Sequence, residues 1–140
     1  MTERTLIIVK PDAVAAGKTQ DILGAFEAAG FRLLASQRLT LTPAQAEGFY
    51  AEHVGKGFFT DLVAFMISGP CLTACFEAED AIQRARAIVG ATNPSQAAEG
   101  TIRRDYGSST TRNAVHASDS PKSAEREAGF FFPDLAKGGS

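Results

Sequence analysis

The chain has 140 residues, which fits a single domain over 1–140, and its hydrophobic fraction of 44% is too high for a disordered chain. A formal net charge of -2 gives no general attraction to nucleic acid or to a membrane surface. The first residues do not resemble a secretory signal, and no apolar run approaches the roughly 20 residues of a membrane span. Cys71 and Cys75 are too far apart for a disulfide if they share a strand, so we expect reduced thiols and a cytoplasmic protein.

The first half of the chain predicts two strands and three helices. An apolar, β-branched run ends at Pro11 and is typical of a buried strand. Thr42 and Gln45 flank a Pro at the first helical position, which is a strong helix start. The expected elements are a strand at 5–9, a helix at 18–29, a strand at 31–41, a helix from 43 to about 53, and a helix at 58–67.

The second half predicts two more strands, two helices and one long loop: a strand at 72–76, a helix at 79–89, a loop at 91–113, a strand at 114–116 and a helix from 121 to about 131. The loop is rich in Thr, Ser, Asn, Gly and Arg, and a loop of this length inside a compact domain is usually functional or disordered. The order of elements predicts an α+β ferredoxin-like sandwich, with a four-stranded, mostly antiparallel sheet and helices packed on one face.

Positive charge is concentrated between residues 84 and 112, where five arginines face two acidic residues for a local charge of +3. A basic segment on an acidic chain suggests a small anionic ligand. Guanidinium groups are planar donors that suit phosphate, and the candidates are Arg86, Arg103, Arg104 and Arg112. Lys10 directly follows the first strand, where it either reaches a phosphate or is a solvated strand end.

His116 is the candidate for chemistry, because no Gly-rich phosphate loop and no metal-ligand spacing is present. It lies among small polar residues at a strand end, which suits a nucleophile or general base as well as a structural histidine. A nucleophilic imidazole needs one nitrogen unprotonated and the other held by an acceptor. Glu125 and Glu127, in the following helix, are both candidates for that acceptor.

Aromatic residues near the Gly55–Gly57 loop are candidates for base binding. Phe58 or Phe59 would stack on a base if exposed, although core packing is the alternative for each. Tyr50 either reaches a pocket or packs within an amphipathic helix. His53 is interpreted as a surface residue at a helix end.

Taken together, these segments resemble the nucleoside diphosphate kinase family, in its compact bacterial form. Residues 113–127 (NAVHASDSPKSAERE) are similar to the active-site signature of that family, and residues 3–12 (ERTLIIVKPD) to its first strand. Residues 90–94 (GATNP) and 100–103 (GTIR) match its phosphate-binding segments. The matches run in order over essentially the whole chain.

The resemblance implies a phosphotransferase that moves the γ-phosphate of an NTP to an NDP by a ping-pong mechanism. It implies that His116 becomes a phosphohistidine, that Glu127 holds its other ring nitrogen, that Ser118 supports Glu127, and that Tyr50 lines the pocket. For the nucleotide it implies phosphate contacts from Lys10, Arg86, Thr92 and Arg103, ribose contacts from Lys10 and Asn113, and base contacts from Phe58 and Leu62. Purine and pyrimidine nucleotides would both react, and Mg²⁺ would arrive mainly on the nucleotide phosphates.

Three positions depart from the common pattern of the family: Ala117 and Thr111 stand where Gly is frequent, and Arg104 follows the matched Arg103. They border the nucleotide loop and leave the catalytic set intact.

Two rival functions remain to be tested, a nucleic-acid-binding module and a catalytically silent relative. Family members are homo-oligomers built from a common dimer, as tetramers or hexamers. Phe130, Phe131 and Phe132 at the end of the last helix point in three directions, so we expect at least one to face a second subunit.

Overall fold

A computed structural model describes residues 2–109 and 113–133, apart from the side chain of Glu52. Its strands are β1 (Thr2–Val9), β2 (Arg32–Leu39), β3 (Cys71–Glu79) and β4 (Val115–Ala117). Its helices are α1 (Pro11–Ala15), α2 (Thr19–Ala28), α3 (Pro43–Phe49), α4 (Phe59–Met66), α5 (Ala81–Val89), α6 (Ile102–Tyr106) and α7 (Pro121–Phe131), with 3-10 turns at Ala51–His53 and Pro94–Gln96.

The four strands form one antiparallel sheet in the order β2-β3-β1-β4. The α+β ferredoxin-like prediction is therefore confirmed. One of the two inner strands, β1, is buried from Thr5 to Val9, and its residues 7–9 pair with β3 on one side and with β4 on the other. Its partner β4 is a three-residue edge strand, and their register sets His116 opposite Ile8.

Both faces of the sheet are covered, so the expectation of helices on one face only is wrong. Alternation along β1 turns Ile7 and Val9 toward a core with α2 and α5, and turns Leu6 and Ile8 toward a second core with α3 and α4. Phe131, in α7, packs against that second core. Because Ile8 belongs to the second core, His116 lies on the α3–α7 side of the sheet.

Two short helices were not predicted from the sequence. The first, α1, has five residues with Pro11 at its start, too few to show a helical apolar period. The second, α6, lies within the segment predicted as a loop, and Thr101 caps it by accepting a hydrogen bond from the Arg104 N–H. The helix predicted from 43 to about 53 ends instead at Phe49 and continues as a 3-10 turn.

Both cysteines are buried and unbonded, as expected. Burial raises the pKa of the Cys71 thiol to about 11. None of the helices described here is long and apolar enough to cross a membrane.

Candidate active site

A chain of hydrogen bonds fixes the imidazole of His116. Its Nε2 lies 2.7 Å from Oε1 of Glu127, a carboxylate that α7 buries. Ser118 Oγ donates to the same Oε1 at 2.8 Å and accepts from the Leu6 N–H at 3.0 Å. Glu125 is exposed and lines a different groove, so Glu127 is the carboxylate at the histidine. Since Nε2 is engaged, Nδ1 is the ring nitrogen available to attack an electrophile.

The start of α7 determines where Glu127 points. Ser120 caps the helix by accepting from the Ser123 N–H at 3.0 Å, and Pro121 occupies the first helical position. The helix then runs two turns before it presents Glu127 toward β4.

A cavity of about 300 Å³ opens beside His116. Seven of the residues that the resemblance assigned to the site line it: His116, Glu127, Tyr50, Phe58, Arg86, Thr92 and Arg103. The other lining residues are Phe49, His53, Ala117, Asp119 and Arg126. Lys10, Ser118, Leu62 and Asn113 do not line it.

Two guanidinium groups are anchored on backbone carbonyls next to the histidine. Arg103 donates through Nη2 to Val115 O at 3.0 Å and through Nη1 to Gly90 O at 3.2 Å. Arg86 Nη1 lies 3.5 Å from Ala117 O. Burial, with Arg86 nearby, lowers the pKa of Arg103 to about 10. An anion bound between the two groups would relieve this repulsion.

Lys10 and Asn113 form a polar pair at the end of β1. Lys10 Nζ donates to Asn113 Oδ1 at 2.8 Å, and Asn113 Nδ2 donates to the backbone O of Thr92 at 3.0 Å. Burial lowers the pKa of Lys10 to about 7, and the nearby Arg103 contributes to this shift. The interpretation of Lys10 as a solvated strand end is wrong, because its side chain is buried.

Aromatic rings form one wall of the cavity. Phe58 is 46% exposed, and its ring lies 5.3 Å from that of His53. Lys56 Nζ is 3.1 Å from His53 Nδ1 and 5.9 Å from the Phe58 ring centre. His53 ends the 3-10 turn and is half-buried, and it lines the cavity, a role that the sequence did not indicate. Leu62 is buried in the core on the α3–α4 side instead of lining the cavity.

Tyr50 brings an unsatisfied donor to the cavity. Its hydroxyl is buried and has no hydrogen-bond partner within residues 2–109 and 113–133. Burial raises the pKa of Tyr50, and the charge of Glu127 raises it further. The phenol therefore stays protonated and can donate to a bound anion.

Three lining residues were missed in the sequence. Phe49 lies edge-on to the His116 ring, with centroids 5.4 Å apart. Arg126 Nη2 lies 3.6 Å from Glu127 Oε2, and a hydrogen bond from Ser123 lowers the pKa of Asp119. Each is adjacent in sequence to a residue that was predicted to belong to the site, and this adjacency was the one sequence feature that could have indicated it. Helix and loop geometry decided which neighbours face the cavity.

The departures from the family pattern have separate outcomes. Ala117 lines the cavity. Arg104 is exposed, outside the cavity lining, and donates to Ser95 O at 3.4 Å. Thr111 and Arg112 lie outside the described residues.

Comparison with known proteins identifies the family. The model of the family described as "Nucleoside diphosphate kinase" matches residues 3–136. A nucleoside diphosphate kinase of Pasteurella multocida is 55% identical over 130 residues, covering 93% of this chain and 94% of that protein. The Aquifex aeolicus enzyme structure superposes with a TM-score of 0.94 at 45% identity, covering 97% of this chain and 99% of that one. The structure of a Halobacterium salinarum nucleoside diphosphate kinase in complex with CDP superposes with a TM-score of 0.91 at 39% identity, covering 94% of this chain and 88% of that one. The chain belongs to the nucleoside diphosphate kinase family and is a phosphotransferase.

Proposed function

We propose that this protein transfers the γ-phosphate of a nucleoside triphosphate to a nucleoside diphosphate through a phosphohistidine on His116. The observation that supports it most is the bond of Nε2 to a buried Glu127, beside two anchored arginines. That arrangement combines a nucleophile of fixed tautomer with positive charge for the transferred group.

The reaction consists of two half-reactions in one cavity. Nδ1 of His116 attacks the γ-phosphorus, the bond to the bridging oxygen breaks, and the nucleoside diphosphate leaves. Glu127 accepts the hydrogen bond of Nε2–H and stabilises the positive ring. A terminal phosphate oxygen of a second diphosphate then attacks the phosphohistidine and restores the imidazole. Because one site serves donor and acceptor in turn, the kinetics are ping-pong.

The charge that spreads over the transferred phosphoryl group must be neutralised. Arg86, Arg103 and Lys10 supply positive charge, Thr92 and the Tyr50 hydroxyl supply hydrogen bonds, and Asn113 with Lys10 holds the ribose. Glu127 is engaged with His116 and Ser118. Mg²⁺ would therefore be held by the nucleotide phosphate oxygens, where it supplies further charge neutralisation.

The base would stack on Phe58, whereas Leu62 is buried in the core on the α3–α4 side and does not line the cavity. The half-exposed Phe58 ring offers a surface to any base, and stacking is tolerant of sequence because every base has a π-face. Purine and pyrimidine nucleotides are therefore both substrates in this proposal. We further propose a cytoplasmic homo-oligomer built from dimers, as a tetramer or hexamer.

Uptake of phosphate from ATP labelled at the γ-position tests the proposal. With Mg-ATP alone, wild-type protein should gain one acid-labile, base-stable phosphate per chain, and His116→Ala should gain none. Glu127→Gln should reach the same endpoint about ten- to a thousand-fold more slowly, since it loses an orienting charge. A nucleic-acid-binding module or a silent relative would retain no label, and unchanged labelling of His116→Ala would exclude His116 as the nucleophile.

A further inference from the structure

The backbone makes a strained turn directly before the histidine. Val115 N–H donates to Asn113 O at 2.9 Å, which closes a three-residue turn around Ala114. Ala114 has a φ of 74°, a region that residues with a side chain seldom adopt. A γ-turn of this sign is rare and strained, so contacts from outside the turn must hold it.

Those contacts come from the end of β1 and the start of α1. Asp12 Oδ2 accepts the Ala114 N–H at 3.1 Å, across 102 residues of sequence. The Lys10 N–H donates to Ala114 O at 2.8 Å. Both polar groups of the Ala114 backbone are thus bound, one by a carboxylate and one by the neighbouring main chain.

The Asp12 carboxylate makes this contact at a cost. Its second oxygen, Oδ1, is buried and has no hydrogen-bond partner in the part of the chain that the structure describes. An unsatisfied buried acceptor destabilises a fold, so the position is not optimised for stability alone. The carboxylate supplies a fixed acceptor for the Ala114 N–H, in addition to its negative charge near Lys10.

The turn connects the two halves of the site. On one side, the Asn113 side chain accepts a hydrogen bond from Lys10 Nζ at 2.8 Å and donates one to Thr92 O at 3.0 Å. On the other, β4 begins at Val115 and carries His116. We propose that Asp12 is a positioning residue for phosphoryl transfer, which holds the Ala114 turn and thereby aligns the Lys10–Asn113 pair with the His116 imidazole. This inference rests on the proposed function.

The test compares Asp12→Ala with Asp21→Ala as matched control. Asp21 is likewise an acidic residue in the first turn of a helix, but it is exposed. Steady-state kcat and KM, phosphate uptake and the free energy of unfolding are measured for both, at a temperature where all variants are folded. Asp12→Ala should lower kcat/KM by about 10- to 100-fold, mainly through kcat, because small misplacements of reacting groups are costly. Asp21→Ala should stay within about twofold of wild type.

A second variant tests whether Asp12 acts through the turn. Glycine adopts a positive φ without strain, so in an Ala114→Gly background the loss of Asp12 should cost about threefold or less in kcat/KM. Asp12→Asn retains an oxygen that can accept the Ala114 N–H, and it should keep about a third or more of wild-type kcat/KM. Asp12→Asn also serves if Asp12→Ala does not fold.

The outcomes separate this inference from the proposed function. An active wild type, with Asp12→Ala behaving like Asp21→Ala, overturns the inference alone. Equal losses from Asp12→Ala in the wild-type and Ala114→Gly backgrounds, or a loss in Asp12→Asn as large as in Asp12→Ala, also overturn it. A wild type that takes up no phosphate overturns both proposals.

Discussion

At the scale of single residues, the site brings together cationic groups whose burial in the charged form is unfavourable. Lys10 and Arg103 share one region, and burial together with repulsion from neighbouring cations lowers both pKa values, to about 7 and about 10. Asp12 opposes the shift of Lys10 but does not cancel it. Phosphate oxygens would supply the opposing negative charge, so part of the binding energy for a nucleotide comes from relief of this repulsion.

The pKa of Lys10 leads to a prediction for the pH profile. In the folded protein Lys10 loses its proton as pH rises through about 7, far below its ordinary range. In the proposed mechanism the charged form of Lys10 binds phosphate, so kcat/KM should fall above about pH 7 and nucleotide binding should take up protons there. The free energy of unfolding changes in the opposite direction. It should increase as pH rises from about 7 toward 10, because the folded protein then holds Lys10 uncharged while the unfolded chain still binds the proton.

Lys10→Arg provides the control, since an arginine keeps its charge throughout this range. We expect its kcat/KM, measured between about pH 6 and 9 with the same nucleotide, to lack the falling limb whatever its absolute height. If kcat/KM of the wild type and of Lys10→Arg falls at the same pH, another group or the nucleotide itself is responsible for the titration.

At the scale of elements, α7 links a local cap to the chemistry. Ser120 Oγ satisfies the Ser123 N–H, and Glu127 lies farther along the same helix. Ser120→Ala should lower the free energy of unfolding by about 1 kcal/mol, whereas Ser120→Thr should lose about half of that or less, since threonine also caps. Denaturant unfolding measures both variants, and equal losses would mean that the hydroxyl does not cap the helix.

Sequence periodicity predicted the elements that bury a regular apolar face. Strands and longer helices such as α2 show two or more turns or alternations. The predicted bounds of α2, α5 and α7 lie within two residues of those observed, whereas β1 begins three residues earlier and β3 ends three residues later than predicted. Helices α1 and α6 have five residues each, so their sequences hold too little pattern to distinguish them from loop. Arg103 was expected on a loop for this reason, although it sits on a helix.

The candidate site was predictable through its resemblance to a family far more than through its physics. Residue chemistry left Glu125 and Glu127 equivalent, and the geometry of the helix decides that Glu127 faces His116. The place of His53 on the cavity wall and the contact between Asp12 and Ala114 depend on tertiary geometry, and no local pattern encodes them.

At the scale of the whole molecule, large apolar side chains remain exposed outside the cavity, and two of them lie at the end of α7 and on an edge strand. Phe131 and Phe132 pack against the core on the α3–α4 side, while Phe130 is 40% exposed. On the edge strand β2, Leu33 is also 40% exposed. Edge strands and exposed apolar groups favour association with another copy.

We therefore expect a homo-oligomer of at least two subunits at micromolar concentration. Light scattering behind size exclusion gives the mass directly, and Leu33→Lys should reduce it if β2 contributes to the interface. Val54→Lys is the control, because Val54 is 65% exposed in a loop. A homogeneous, active species of about 14.8 kDa would contradict the prediction.

The pairing of β1 with β4 also has a consequence for the time at which the site forms. Leu6 and Ser118 are hydrogen-bonded across 112 residues of sequence, and the Glu127 carboxylate depends on that serine. Contacts of such separation require closure of a long loop, and they form after local helices and hairpins. On a ribosome, His116 therefore has no bonded carboxylate until Glu127 has emerged, so in the proposed mechanism the nascent chain is not phosphorylated before that point.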